Sequence, residues 1–242
     1  SDNKQINSKI IIAADGKNSA VRKILGTNIF KKHYNEKAIV INFFHEKSHQ
    51  NTAYEFFLNS GPLAVLPMQK MNKSHQSALI WSNKAELVDF FASSNFKKKF
   101  MQEILNENIS EKLGAVIKIN SIQIFPLSAH INERFFEKQT IYLGDAAHSI
   151  RPIAGQGWNL ALRDVKSLTK LLKAHKTNDL EVGTKSFCKS FNDLCYYDAY
   201  RLFEITDKLD WIFKKDQSYF KLLKKIGFSA INKNLNLKRQ IV

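Results

Sequence analysis

Apolar and polar residues follow two different periods along this chain, and the switches between them divide it into blocks. Lys9-Ile10-Ile11-Ile12-Ala13-Ala14 is a short apolar run that predicts a buried strand, ended by the turn pair Asp15-Gly16. Asn18 or Ser19 can cap a helix over Ala20–Leu25, which Gly26 stops. Between residues 38 and 82, four segments alternate or form short apolar runs: Ala38–Phe44, Ala53–Leu58, Leu63–Met68 and Ser77–Trp81. Turn residues separate them at Asn51, Asn59-Ser60-Gly61-Pro62 and Asn72-Lys73-Ser74, which predicts an antiparallel sheet. Helical spacing takes over in Ala85–Ala92 and Asn95–Leu113, with Phe96, Phe100, Ile104 and Leu105 on one side. Ile117–Leu127 alternates again, making Ile117, Ile119, Ile122, Ile124 and Phe125 candidates for a covered face.

The most informative stretch begins at Thr140-Ile141-Tyr142-Leu143, a second buried strand. Gly144 lets the backbone approach a ligand closely, and Asp145 sets a carboxylate at the strand's carboxyl end, where open α/β sheets bind ligands. Ala146 and Ala147 add no obstructing bulk. After Arg151, Pro152 fixes the chain direction, and Gly155-Gln156-Gly157 opens a helix with the expected core face Ala161, Val165, Leu168 and Leu172. The free N–H groups of such a helix start carry partial positive charge and can hold an anion or an electron-rich carbonyl. A carboxylate for a sugar diol, then a helix start for a negative group, points to a nucleotide-like cofactor.

Residues 184–206 and 207–237 read as C-terminal helices. Phe187, Phe191, Leu194, Tyr197 and Phe203 supply the first apolar face, and Leu209, Ile212, Phe213, Leu222, Leu223 and Ile226 the second. Lys214, Lys215, Lys221, Lys224, Lys225, Lys233, Lys238 and Arg239 gather around the second group, with Trp211 and Tyr219 among them. A basic amphipathic segment of this kind fits an anionic lipid surface, and equally an ordinary packed helix with a solvated lysine face.

Composition narrows the classes. With 242 residues and 44% hydrophobic content the chain can bury a real core, in one large domain or two small ones. No apolar run reaches the length of about eighteen residues that a spanning helix needs. The net charge of +15 is spread along the chain, mostly as lysine, which does not specify nucleic-acid binding. Cys188 and Cys195 share a helix face two turns apart, too distant to bridge each other, so they read as reduced, partly buried thiols of a cytoplasmic protein. His45-Glu46-Lys47-Ser48-His49 matches the H-E-x-x-H zinc signature, but the preceding alternation is that of a strand, and the expected reading is a loop with no metal. His148, alone beside the glycine-aspartate turn, reads as a hydrogen-bonded structural residue.

Taken together, Gly144-Asp145 and the following P-x-x-G-x-G-x-N helix start resemble the second FAD motif of class A flavoprotein monooxygenases. They are most similar to that of the ubiquinone-biosynthesis hydroxylases. ADGKNSAVR resembles the "DG" motif of the same proteins, about 130 residues upstream. AYEFFLNSGPLAVLPM, Phe125-Pro126-Leu127, RLFEITDKLDWIF and NLNLKRQIV carry the resemblance nearly end to end. It implies an α/β fold with an α+β substrate domain: part of a Rossmann-like, glutathione-reductase-type FAD domain, an antiparallel sheet and C-terminal helices. The implied segments are 1–28 and 138–176 for FAD, 29–137 for substrate and 177–242 for the terminal helices. By the resemblance Asp145 bonds the FAD ribose beside Gly144. Pro152 sits near the flavin ring, and Ala154, Gly155, Gln156, Gly157, Trp158 and Asn159 line its pyrimidine edge. Asp15 and Gly16 lie by the pyrophosphate and along the approach of NAD(P)H, where Arg22 adds positive charge. Substrate contacts are expected from Phe56, Leu66 and Phe125, and no side chain is assigned as catalytic nucleophile or base.

The implied activity is hydroxylation of a polyprenylated phenol with FAD, NAD(P)H and molecular oxygen, at the surface of the inner membrane that holds the substrate and with other ubiquinone-biosynthesis proteins as possible partners. Those enzymes open with a strand–GxGxxG–helix unit that this sequence lacks, so it reads as the C-terminal portion of a longer enzyme whose FAD affinity depends on the remainder. Competing readings are a flavin-dependent reductase or halogenase of the same fold, and a non-catalytic basic module for a membrane or a partner. Intact Asp145 and Gly155-Gln156-Gly157 count against the module.

Overall fold

The computed structural model describes residues 5–58, 60–71, 73–93, 97–152 and 155–213. In chain order the elements are β1 (Ile11–Ala13), α1 (Ala20–Leu25), β2 (Ile29–His45), β3 (Tyr54–Leu58), β4 (Gly61–Met71), β5 (Ser74–Lys84), α2 (Ala85–Ser93), α3 (Lys97–Leu113), β6 (Val116–Asn132), β7 (Phe136–Glu137), β8 (Thr140–Tyr142), β9 (His148–Ser149), α4 (Gln156–Thr177) and α5 (Lys185–Phe213). Two compact units form, one from residues up to Asn35 with Leu127–Asp207, the other from Glu36–Pro126. The divisions at 35/36 and 126/127 fall inside β2 and β6, whereas the sequence placed them at 28/29 and 137/138. Strands that run from one unit into the next leave no turn residue to mark the boundary.

In the first unit a small sheet runs in the order β1-β8-β7. β1 and β8 are parallel, with Ile11 opposite Thr140 and Ala13 opposite Tyr142. The core gathers Ile131, Phe135, Ile141 and Tyr142 with Leu160 and Leu168 of α4 and Phe187 and Phe191 of α5. Three sequence expectations shift here. β1 is not buried throughout: Ile11 and Ile12 are 51% and 46% exposed, because among the described residues β1 has β8 as its one strand neighbour. α4 turns inward Leu160, Asp164 and Leu168 rather than Ala161 and Val165, since a buried aspartate occupies the core face. α5 continues through 206/207 as one helix, and Cys188, Cys195 and Ala199 fill its inner face while Leu194 and Tyr197 are exposed. Both cysteines are buried and free.

In the second unit the strands run β3-β4-β5-β2-β6, with β3/β4, β4/β5 and β2/β5 antiparallel. Cross-strand register sets its two faces. Phe56, Leu63, Trp81 and Ile39 form one row and Tyr54, Val65, Leu79 and Ile41 the next, both facing a core completed by Val88 of α2 and Met101, Leu105, Ile109 and Leu113 of α3. The inner stripe of α3 is thus turned from the expected one: Phe100 is partly exposed and Phe96 lies outside the described residues. On β6 the covered positions are Val116, Ile119, Ile122 and Ile124, while Ile117 is 59% exposed. The stretch 29–37 is strand although Lys31-Lys32-His33 breaks the alternation that predicts one.

Candidate functional site

The site is built on the carboxyl ends of the neighbouring parallel strands β1 and β8. Leu143 N–H donates to Ala13 C=O at 3.0 Å, so the chains leave the sheet side by side. One enters the Asp15-Gly16 turn and α1, the other a 3-10 turn over Gly144–Ala146. Ser19 caps α1 by accepting from Arg22 N–H at 3.0 Å, and Asp15 Oδ2 accepts from Val21 N–H at 3.2 Å. The Ser19 hydroxyl beside Asp15 holds that carboxyl below its ordinary range.

Arg22 ties the two turns together. Its Nη1 donates to Ala146 C=O at 2.9 Å and to His130 Nε2 at 3.0 Å, and its Nη2 to Lys17 C=O at 2.8 Å. Asn132 Nδ2 donates to the same Ala146 oxygen at 3.1 Å. Arg22 was expected to add charge along a nucleotide approach; it is instead buried, 5% exposed, with its donors spent inside the fold. Because a guanidinium only donates, His130 Nε2 accepts and the imidazole is neutral. Burial first, then the Arg22 charge with Lys17, His148 and Lys31, push His130 down to about 3.

That depression makes stability fall with acid. The folded value of about 3 lies below the ordinary 6.5, so the contribution is complete above 6.5 and is lost as pH falls from there towards 3. The loss should run at up to about 1.4 kcal/mol per pH unit. Urea midpoints between pH 7 and 4.5 measure it. His130→Gln, whose amide oxygen can still accept from Arg22, should flatten the slope; a slope equal to that of the parent would assign the acid sensitivity elsewhere.

Beside the Gly144–Ala146 turn, a cleft of about 470 Å³ is lined by Asp145, Ser149, Ile150, Pro152, Gly155, Gly157, Trp158 and Ala161. Asp145 is exposed to it, and Trp158 is 73% exposed. Gly155 has φ of +63°, and a Cβ there would meet nothing within 4 Å, so its hydrogen faces open space. At Gly157 the nearest atom to an added Cβ is Ile150 Cγ1 at 3.9 Å. The first N–H groups of α4 are therefore approachable. Gln156 and Asn159 contact each other at 3.5 Å. Ala154 lies outside the described residues, and Asp15 and Gly16 stand beside the cleft rather than in its lining.

The sequence reading missed the acid that holds this turn. Asp164 Oδ2 accepts from Gly144 N–H at 3.2 Å and pairs with His148 Nε2 at 2.6 Å, both side chains 2% exposed. His148 is thus the hydrogen-bonded structural residue expected. Burial, with Asp164 alongside, pushes the Cys195 thiol up to about 12, which leaves it unreactive. Arg151, next to Pro152, is buried with its guanidinium 4.2 Å from the centre of the Tyr34 ring. Tyr34 donates to Asp207 Oδ1 at 3.0 Å, and Lys32 pairs with Asp207 at 2.9 Å and Glu204 at 3.4 Å. Asp164, four residues from both Leu160 and Leu168 on one helix face, is marked in the sequence by that spacing, whereas Arg151, outside any helix, is not.

Of the expected substrate residues, Phe56 faces the packed core and Leu66 the opposite face of the sheet, so the two cannot line one cavity; Phe125 is 49% exposed. The H-E-x-x-H residues stand at the end of β2 and in the loop after it, not on a helix. His45 Nδ1 donates to Lys47 C=O at 2.8 Å, and His49 Nε2 to Met68 C=O at 3.0 Å. Among the described residues no group of three histidine, cysteine or acidic side chains is placed to hold a metal.

Comparison with known proteins decides the family: the profile of the FAD binding domain family matches residues 1–180. The chain belongs to this FAD-binding family. It is 31% identical over 239 residues to ubiquinone hydroxylase UbiL of Rhodospirillum rubrum, covering 99% of this chain and 54% of that protein. It is 26% identical over 273 residues to the mitochondrial ubiquinone biosynthesis monooxygenase COQ6 of Homo sapiens, covering 100% and 58%. The chain therefore spans about half the length of the curated relatives it matches. In fold it is similar to PqsL of Pseudomonas aeruginosa, a probable FAD-dependent monooxygenase (TM-score 0.70, 16% identity, 90% of this chain and 59% of that one). The p-nitrophenol 4-monooxygenase PnpA of Pseudomonas putida is likewise similar (TM-score 0.68, 16% identity, 96% and 57%). FAD is the cofactor of this family, and the open glycine cradle with an exposed carboxylate at its mouth fits a flavin nucleotide.

Proposed function

We propose that the intact protein is an FAD-dependent monooxygenase that hydroxylates the ring of a polyprenylated phenol in ubiquinone biosynthesis, with NAD(P)H and molecular oxygen as co-substrates. The observation that carries this reading is the parallel pair β1 and β8, whose ends deliver the two motif turns side by side, one of them onto the glycine cradle. Similarity to UbiL and COQ6, both named for ubiquinone biosynthesis or hydroxylation, supports the substrate class.

When bound, FAD supplies acceptance of a hydride and activation of oxygen; the chain's part is to bind, orient and shield. Asp145 would accept hydrogen bonds from a ribose diol. The N–H groups opening α4 at Gly155–Gly157 would face the electron-rich edge of the flavin and stabilise negative charge there. Pro152 would hold the wall between them, fixed from behind by Arg151 on Tyr34. Asp15 and Gly16 would stand by the pyrophosphate and the nucleotide approach. The half-exposed Ile11 and Ile12 are what a further parallel strand, such as the first of a GxGxxG unit, would cover.

Among the described residues no helix is long and apolar enough to cross a membrane. We propose peripheral contact with an anionic membrane through the lysine-rich segment from Lys214, which lies outside the described residues, and contact with other proteins of the pathway.

The test is Asp145→Ala in the intact protein, with FAD binding followed by flavin fluorescence. Affinity should fall about tenfold or more, the worth of a pair of charge-assisted hydrogen bonds, with no comparable loss of thermal stability because Asp145 is exposed. Unchanged FAD affinity would remove the ribose contact from the account.

A further inference from the structure

In the second unit, the loop after β2 is tied at its start to the α3–β6 turn. Lys47 N–H donates to Leu113 C=O at 2.8 Å, and Glu46 Oε2 accepts from Ala115 N–H at 2.9 Å. Beyond that, residues 48–53 are exposed except for His49, which is buried. Its Nε2 donates to Met68 C=O on β4 at 3.0 Å, and its Nδ1 accepts from Asn51 N–H at 3.0 Å. This anchor holds a strained turn, because Gln50 and Asn51 stand consecutively in the left-handed region, with φ of 49° and 55°.

Two more histidines meet His49 there. His45 and His75 are paired across β2 and β5 with ring centres 6.0 Å apart, and the His49 ring lies 6.0 Å from the first and 6.4 Å from the second. The bonding suits neutral rings. A proton on His49 Nδ1 would set an N–H against the Asn51 N–H, and His75 Nδ1 is buried with no hydrogen-bond partner to accept one. His45 is 1% exposed, with Nδ1 on Lys47 C=O at 2.8 Å and Nε2 on Ser77 Oγ at 3.0 Å. Burial, then the neighbouring His49 and His75, hold it below its ordinary range. Around the cluster β4 presents Met68 C=O and β5 presents Ser77 and His75. The charged loop residues turn to the α3–β6 junction, Glu46 onto Ala115 N–H and the Lys47 side chain past Gly114.

We propose that His45, His49 and His75 form an acid-operated clasp: neutral, they hold residues 48–53 down on the sheet, and a proton taken up by the cluster releases them. The loop is the two-state element. Strain at Gln50 and Asn51 favours release, and the His49 bonds to Met68 and Asn51 oppose it. A histidine held below its ordinary 6.5 binds a proton more weakly in the closed form than in the open one. Closure is therefore complete above about 6.5 and weakens as pH falls. Release uncovers the three rings and Phe43, whose ring lies 5.6 Å from that of His45 at the end of the core. A plug of hydrogen bonds alone would close the loop equally at every pH. The clasp lies wholly in the second unit and does not depend on the hydroxylase reading.

Hydrogen exchange of the intact protein, read by mass spectrometry and corrected for the intrinsic pH dependence of exchange, tests this on peptides covering residues 46–53. Between pH 6.5 and 5 their protection should fall by up to about tenfold per pH unit, the effect of one linked proton, while residues 77–82 keep theirs. His49→Gln, whose amide can still donate to Met68 and accept from Asn51, should hold the loop closed from pH 7 to 5. If that variant does not fold by circular dichroism, the parent profile decides by itself. A flat parent profile, a fall shared equally by residues 77–82, or a folded His49→Gln protein with the slope of the parent each overturns the proposal and leaves the cluster as a neutral plug.

Discussion

Asp164→Ala should cost about 3–5 kcal/mol of stability and most of the flavin affinity, the largest effect expected of any charged position in the first unit. The carboxylate is 2% exposed and serves Gly144 N–H at 3.2 Å and His148 Nε2 at 2.6 Å. Removing it leaves a buried backbone donor and a buried imidazole donor without partners, and neither can reach water. Set against a typical domain stability of about 5–15 kcal/mol, that is a large fraction. The consequence for function follows from geometry: Gly144 opens the turn that carries Asp145, so freeing its N–H loosens the carboxylate on the cleft. Asp164→Asn keeps one acceptor oxygen and should recover part of the loss. Urea titration with parallel FAD titration measures both; a loss below about 1 kcal/mol for the alanine variant would mean the two donors find other partners.

Gly183→Ala should prevent the first unit from folding. Gly183 has φ of +82°, and a Cβ there would lie 1.9 Å from Lys9 C=O, a backbone atom that no rotamer change can move aside. Relief requires shifting either the start of α5 or the segment leading into β1, and β1 delivers the Asp15 turn. The cost exceeds the roughly 1–2 kcal/mol of a left-handed conformation alone. Gly155→Ala is the contrast, with φ of +63° and open space around its Cβ. It should cost only about 1 kcal/mol of stability but obstruct the cleft and weaken FAD binding. Circular dichroism melts of the two variants separate the cases: a folded Gly183→Ala protein with a midpoint near that of the parent would show that the Lys9 segment yields easily.

Local patterns were legible wherever a residue's role depends on its chain neighbours. The strand ending in Asp15-Gly16, the Ser19 cap, the Gly26 stop, the Gly144-Asp145 turn and the glycine start of α4 all stand where the sequence puts them. Each is a matter of backbone conformation within a few residues, and the FAD assignment rests on them. Faces were less legible. Val165 and Leu194 looked like core and are exposed, while Asp164 and Arg22 are buried. A charged residue reads as surface until a distant donor or acceptor is brought to it.

By itself, then, the sequence determined the family's cofactor turns, the antiparallel sheet and most element boundaries, because propensity and periodicity act over short range. Only the tertiary structure decided that the two turns, about 130 residues apart in the chain, leave adjacent parallel strands and are clasped by Arg22, His130 and Asp164. It alone showed that Glu55 and Phe56, neighbours in the chain, serve opposite faces. Strand pairing and buried hydrogen bonds join residues that share no sequence neighbourhood, and their partners exist only once the chain has folded.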